Sequence, residues 1–243
     1  MKYVLILGAK SDIAKALAVV YAKNGYHLIL AGREINVLLD FKKSIEEEHT
    51  ISVQLEDFDV LQLDTHDIFF ENLKTKPFGV ISCIGYLGDQ EVAERDTNEA
   101  NLIINTNYVG CVNILSICAS YLEQIQEGFI IGVSSVAGDR GRKSNYFYGS
   151  AKAGFTSYLS GVRARLAKKG VHVLTVKPGF VYTKMTAHLE LPKLLSIQPD
   201  QVAKSVFKAQ RKKKNVLYVK WTWRYIMLII KMIPEFIFKK MNL

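Results

Sequence analysis

The sequence predicts an α/β fold: a doubly wound parallel sheet of about seven strands, followed by a C-terminal amphipathic helical tail. Three observations carry this expectation. Short apolar runs alternate with longer helical stretches along the chain. The runs are almost continuously apolar, as strands are when helices cover both faces of a parallel sheet. The first run, Tyr3-Val4-Leu5-Ile6-Leu7, passes directly into Gly8 and then a helical pattern.

Strands are expected at 3–7, 26–31, 51–55, 78–83, 128–133, 171–176 and 215–219, and helices near 12–24, 34–48, 62–75, 97–125, 147–169 and 199–211. Each helical stretch is long enough to cross the sheet and return the chain for a parallel strand. The 243 residues suit one large domain with a substantial core. No repeat or Pro/Gly-rich linker divides it, and the one compositional break follows Lys220. The expected organisation is a domain at 1–220 and a tail at 221–243.

Composition narrows the function classes. Hydrophobic residues make up 49% and charged residues 23%, which argues for a folded globular chain. Cys83, Cys111 and Cys118 form no CxxC pair or disulfide framework, so a reducing, cytoplasmic setting is expected. The opening apolar run is too short for a secretory signal. The net charge of +9 suits an anionic ligand or lipid surface. No zinc-finger, helix-turn-helix or RNA-binding sheet motif accompanies it, so nucleic acid is not expected as a partner. The five histidines, His27, His49, His66, His172 and His188, show no metal-ligand spacing, and no metal is expected.

A dinucleotide is the ligand expected at the N-terminal end. In Gly8-Ala9-Lys10-Ser11-Asp12-Ile13-Ala14, the glycine permits a tight turn and the following helix start offers free N–H groups to a pyrophosphate. Asp12 and Ala14 stand where further glycines are usual. Asp12 either puts a carboxylate near the phosphates or turns aside. The second strand ends in Gly32-Arg33 without an acidic residue for a ribose 2′-OH. Arg33, helped by Lys10, could pair instead with a 2′-phosphate. NADP(H) is therefore favoured, with NAD(H) compatible. Asp59 and Val60, after the third strand, are placed to bracket an adenine.

The chemistry is expected around Tyr148 and Lys152. Four residues apart, they share one helix face, where the ammonium would lower the phenol pKa toward working pH. Tyr148 could then exchange a proton with a carbonyl oxygen as hydride moves at its carbon. Ser134-Ser135 ends a strand 13 residues before Tyr148. Together with the opening strand-glycine-helix unit, this pattern resembles the short-chain dehydrogenase/reductase family, of Rossmann fold, up to about residue 220. The resemblance implies Ser135 as the catalytic serine, Tyr148 as acid/base and Lys152 as its partner and ribose ligand. It implies that Asn107, in Asn107-Tyr108-Val109-Gly110, supports a proton-relay water. In Pro178-Gly179-Phe180-Val181-Tyr182-Thr183, residues Pro178, Gly179, Val181 and Thr183 would meet the nicotinamide. Gly85 is what remains of a family Asn-Asn-Ala-Gly segment, here Ser82-Cys83-Ile84-Gly85. Tyr146 would line the substrate site, as would 182–198 with Met185, Leu189 and Leu191. A homo-oligomer through the helices near 97–125 and 147–169 is also implied.

Gly85-Tyr86-Leu87-Gly88-Asp89-Gln90 and the tail from Trp221 to Met227 resemble a subgroup typified by decaprenylphosphoryl-2-keto-ribose reductase. That likeness implies a keto sugar linked to a lipid; a small soluble carbonyl compound is the alternative, and a non-catalytic dinucleotide-binding protein is a third reading. The tail supplies a separate physical argument. Residues 225–238 are densely apolar but interrupted by Lys231, Pro234 and Glu235, too short and broken to span a bilayer. Lys220, Arg224 and Lys231 share nearly one helical azimuth and leave a broad apolar remainder. That remainder fits either peripheral contact with the inner face of the membrane or packing on the domain or a dimer partner.

Overall fold

A computed structural model describes residues 1–187 and 189–241; His188 and the last two residues of the tail lie outside them. Seven parallel strands form one sheet: β1 (Tyr3–Leu7), β2 (His27–Gly32), β3 (Val53–Asp57), β4 (Gly79–Ser82), β5 (Gly128–Val133), β6 (Val171–Pro178) and β7 (Val216–Val219). Their order is β3-β2-β1-β4-β5-β6-β7. The winding reverses between β1 and β4, where Val4 to Leu7 lie beside Gly79 to Ser82. An open α/β sheet binds ligands beyond the carboxyl ends of its strands at this switch point.

Helices α1 (Asp12–Lys23), α2 (Leu39–His49) and α6 (Pro199–Arg211) cover one face, and α3 (His66–Asn72), α4 (Thr97–Ile125) and α5 (Tyr146–Leu166) the other. Alternation within each strand feeds both layers. Val4 and Ile6 enter the α1/α6 core, whereas Leu5 and Leu7 enter the α3/α4/α5 core. All four are fully buried, and each such side chain contributes about 1.5–3 kcal/mol against the entropy of ordering the chain. By length and composition α4 could cross a membrane. Here it is a core helix, with Ile114, Leu115, Cys118 and Leu122 buried against the sheet.

The expected elements are present, with shifts where turns intervene. The helix expected from 34 begins as a 3-10 turn, Ile35–Leu38, and the one expected over 62–75 shortens to His66–Asn72 after the turn Leu63–Thr65. Two short strands not foreseen, Phe180–Val181 and Ser196–Ile197, pair beyond β6 and bring the ends of the loop between them together. Helix α4 carries a π turn at Asn105–Val109, where the Gly110 N–H reaches back five residues to the Asn105 carbonyl.

The tail folds as α7 (Thr222–Met232) and a helical turn, Glu235–Phe238. Trp223, Met227 and Phe238 are buried, while Trp221, Tyr225, Leu228, Ile229, Met232, Phe236 and Ile237 are exposed. The broad apolar remainder expected opposite the basic stripe is thus divided into one face that packs on the domain and one that faces outward.

Candidate active site

The cleft begins with a turn only glycine can make. Gly8 has φ +74°, and a Cβ there would lie 3.0 Å from the backbone of both Cys83 and Ile84. Its N–H and that of Ala9 both donate to the Ala31 carbonyl, closing the turn against β2. Ser11 caps α1 by accepting the Ala14 N–H at 3.2 Å. Asp12 does turn aside, and its carboxylate accepts the backbone N–H of Lys184 at 2.7 Å.

Two cavities of about 310 and 350 Å³ share the walls Lys10, Ser11, Cys83, Ile84 and Gly85. The first extends past Gly8 to Arg33, Asp59 and Val60. The second extends past Asp12 and Ile13 to Ser135, Tyr148, Lys152, Pro178, Gly179, Val181 and Thr183. Every residue expected to touch the dinucleotide therefore borders one continuous groove at the switch point, and Gly85 stands at its middle. The groove's length, its glycine turn and the helix start beneath it fit an extended dinucleotide.

At the Arg33 end, Lys10 pairs with exposed Glu34 at 3.0 Å and borders the same cavity as Arg33. Glu34 adopts a left-handed conformation that brings it back toward Lys10, and that lysine lowers the Glu34 pKa. Arg33 itself is exposed and makes no ion pair among the described residues. Asp59 accepts the Leu61 N–H at 3.0 Å, which shapes the turn after β3. His66 is buried between Asn113 and the Asp59 carbonyl, a structural position. Among the described residues no three His, Cys, Asp or Glu side chains gather as a metal site.

At the other end the two serines differ. The Ser134 hydroxyl donates to the Lys152 carbonyl at 3.0 Å and lies 2.7 Å from the Thr156 hydroxyl, so it fastens β5 to α5. Ser135 Oγ accepts the Ala137 N–H at 3.1 Å, and Ser135 borders the same cavity as Tyr148. Lys152 is buried and donates to the carbonyl oxygens of Ile84 (3.2 Å) and Val133 (3.3 Å). Its Nζ lies 5.7 Å from the centre of the Tyr148 ring. The expected lowering of the phenol pKa is not what this geometry produces. Burial pushes Tyr148 up to about 12, opposed by the Ser135 hydrogen bond, while burial also lowers the Lys152 pKa. A neutral tyrosine is the proton-loaded form.

Asn107 is fully buried, and its side-chain amide is wholly engaged. It donates to the carbonyl oxygens of Tyr86 (2.6 Å) and Ile103 (2.8 Å) and accepts the Tyr86 N–H at 3.2 Å. It thereby holds the loop after Gly85, which Glu99 secures further by accepting from the Tyr86 hydroxyl and the Asp89 N–H. Tyr146 is exposed, and its ring lies against Phe147 at 4.8 Å.

One cluster escaped the sequence reading. Asp139, four residues after Ser135, is buried with Lys177 and also accepts the Tyr218 hydroxyl at 2.7 Å. It joins the turn after β5 to the end of β6 and to β7. The signal was Lys177, a charged residue near the end of the buried strand Val171–Pro178.

Fold and groove together define a Rossmann-type dinucleotide-binding oxidoreductase. The short chain dehydrogenase family model matches residues 2–193. An uncharacterized oxidoreductase of Mycobacterium tuberculosis is 34% identical over 241 residues, covering 98% of this chain and 96% of the relative. The chain belongs to the short-chain dehydrogenase/reductase family and is an NAD(P)-dependent enzyme of that family. Among solved structures, a short-chain dehydrogenase from Sphingobium yanoikuyae in complex with NADPH superposes with a TM-score of 0.82 at 19% identity, covering 97% of each chain. A bulky-bulky ketone specific alcohol dehydrogenase from Comamonas testosteroni gives a TM-score of 0.80 at 18% identity, covering 97% of this chain and 96% of that one.

Proposed function

We propose that this enzyme reduces a ketone with NADPH, using Tyr148 as the proton donor. The single observation that carries the reading is that Ser135, Tyr148 and buried Lys152 gather on one cavity at one end of a groove suited to a dinucleotide. The nicotinamide supplies hydride when bound. A ketone oxygen accepting from the Ser135 and Tyr148 hydroxyls would be polarised, and Tyr148 would release its proton to that oxygen as negative charge develops there. Lys152, held by the Ile84 and Val133 carbonyls, would hold the nicotinamide ribose. Asn107 positions the Tyr86 loop, and Pro178, Gly179, Val181 and Thr183 would wall the nicotinamide.

Exposed Arg33 at the adenosine end supports NADPH over NADH, with a 2′-phosphate as its anionic partner. The substrate on this reading is a keto sugar linked to a lipid, and the enzyme works at the cytoplasmic face of the membrane, touching it through 221–243. Its likeness to the keto-ribose reductase subgroup supports this. Homo-oligomerisation through α4 and α5 belongs to the same reading, supported by family membership.

The test is NADPH oxidation with a panel of keto sugars and simple ketones. Tyr148→Phe should lower turnover by about 100-fold or more while sparing NADPH binding; equal activity would remove the acid role. Arg33→Asp should weaken NADPH far more than NADH, and an unchanged ratio would overturn the cofactor preference. Turnover of small ketones alone, with tail-dependent dimers, would favour a soluble small-carbonyl reductase.

A further inference from the structure

We infer that the outward face of α7, the turn Glu235–Phe238 and Leu194 form one docking surface for an anionic lipid bilayer, which sets the loop leading out of the groove against that bilayer. This deepens the membrane contact of the proposed function; its reductase reading matters only for what the orientation would serve.

Successive residues of a helix turn by about 100°. Trp223, Met227 and half-buried Ile230 therefore share one side of α7, which packs on Val136 and Phe180. Trp221, Tyr225, Leu228, Ile229 and Met232 occupy the opposite side, with Trp221 72% and Met232 74% exposed. Packing on the domain consumes one apolar face and leaves a second.

This second face joins the loop beyond the nicotinamide segment. Lys220 Nζ donates to the Leu194 carbonyl, and Trp223 Nε1 donates to the Leu195 carbonyl at 3.2 Å. Leu194 is 86% exposed beside this junction. Trp221 meets Tyr225 edge-on at 5.7 Å, which carries the surface along α7. The same loop begins at Thr183 to Thr186, where it walls the groove.

Charge selects the occupant. Between residues 220 and 241 lie Lys220, Arg224, Lys231, Lys239 and Lys240, against the single acid Glu235. That acid is already paired with Arg140 at 2.8 Å. Arg224 and Lys231 run along the edge between the buried and outward faces of α7, and Lys220 stands just before the helix at its junction with Leu194. Apolar residues toward acyl chains, tryptophan at the boundary and cations at head-group level form an interfacial helix. A second copy on this face would bring two sets of these cations together, which disfavours self-association. With 11 residues, α7 falls short of the roughly 20 needed to span a bilayer.

The test is co-sedimentation of the full chain with vesicles of phosphatidylcholine, with and without phosphatidylglycerol. Binding should require the anionic lipid and weaken with salt. Leu228→Glu with Ile229→Glu should lower partitioning by about tenfold or more, and Leu194→Asp by about threefold. Melting temperature and NADPH binding check that each variant is folded. A parent chain that ignores anionic vesicles, or a double variant that binds like the parent, would overturn the surface. Unchanged binding by folded Leu194→Asp would overturn the loop's share in it. Dimers dispersed by the double variant, without vesicle binding, would assign the face to a second copy and refute the lipid assignment. Vesicle binding without ketone reduction would sink the reductase reading alone.

Discussion

The Asp12 carboxylate accepts a 2.7 Å hydrogen bond from the backbone N–H of Lys184, tying the start of α1 to the loop beyond β6 across the groove. Both residues border the cavity that holds Ser135 and Tyr148. The bond therefore acts on the loop that borders the nicotinamide end, while Ser11 caps α1 independently.

Asp12→Ala should release this strap and leave the helix intact. A partly exposed hydrogen bond of this kind contributes about 1 kcal/mol. Amide hydrogen exchange over residues 184–187 should rise by about fivefold with α1 unchanged. Equal protection in the variant would show that the loop is held by other contacts.

Gly179 and Trp223 make a second such pair. A Cβ on Gly179 would lie 2.0 Å from the indole, so Gly179→Ala must displace the one tryptophan of the tail that is buried. We expect a loss of about 1–3 kcal/mol in denaturant unfolding, with a red-shifted tryptophan emission. Parent-like emission would mean that the backbone, and not the indole, yields.

Arg140 clasps the end of the same tail. Its guanidinium donates to the carbonyl oxygens of Ile230 (2.6 Å) and Ile233 (2.5 Å) and stacks 3.8 Å from the Phe238 ring centre. The Ile230 carbonyl keeps the Ile233 N–H, but Arg140→Ala takes from the Ile233 carbonyl its donor and from Phe238 its stacking partner, at about 2 kcal/mol. Limited proteolysis should then cut within 221–241 ahead of the rest. The pair with exposed Glu235 adds little, so Glu235→Gln should keep the parent pattern.

The pH dependence follows from Tyr148, whose pKa burial pushes up to about 12. Its folded value lies above the unfolded one, near 10. The stability it contributes is full below about pH 10 and is lost as pH rises toward 12. In Tyr148→Phe, unfolding monitored by circular dichroism should be less sensitive to pH over that window. A variant whose unfolding keeps the parent's pH sensitivity over that window would contradict this.

Much of this architecture was legible because the signals were local. Each strand is a largely apolar run, Gly8 sits at a single tight turn, and Tyr148 and Lys152 share one helix face; Ser135 was legible only through the family resemblance. What escaped was tertiary. The Lys10–Glu34 pair spans 24 residues, and Asp139 meets Tyr218 across 79; no periodicity announces either. The tail's two faces were hidden for a related reason. Amphipathicity reports that apolar residues want cover, but the domain covers Trp223 and Met227 and leaves Tyr225 and Leu228 outside. The Tyr148 pKa was misread because charge proximity is visible in a motif and burial is not.

The π turn of α4 makes the length of that helix locally forgiving. One surplus residue is accommodated at Asn105–Val109, so the windings on either side keep their facing and Ile114, Leu115 and Cys118 still meet the sheet. Gly110 lies so close to the Val60 carbonyl that a Cβ there would be 2.1 Å away, so the glycine itself must stay. Excising one residue of the π turn ahead of Gly110 would restore regular winding without turning the downstream half of α4. A one-codon deletion there should cost less fold stability than one placed after Gly110, which would rotate every later residue by about 100°, an asymmetry that a deletion scan would register at once.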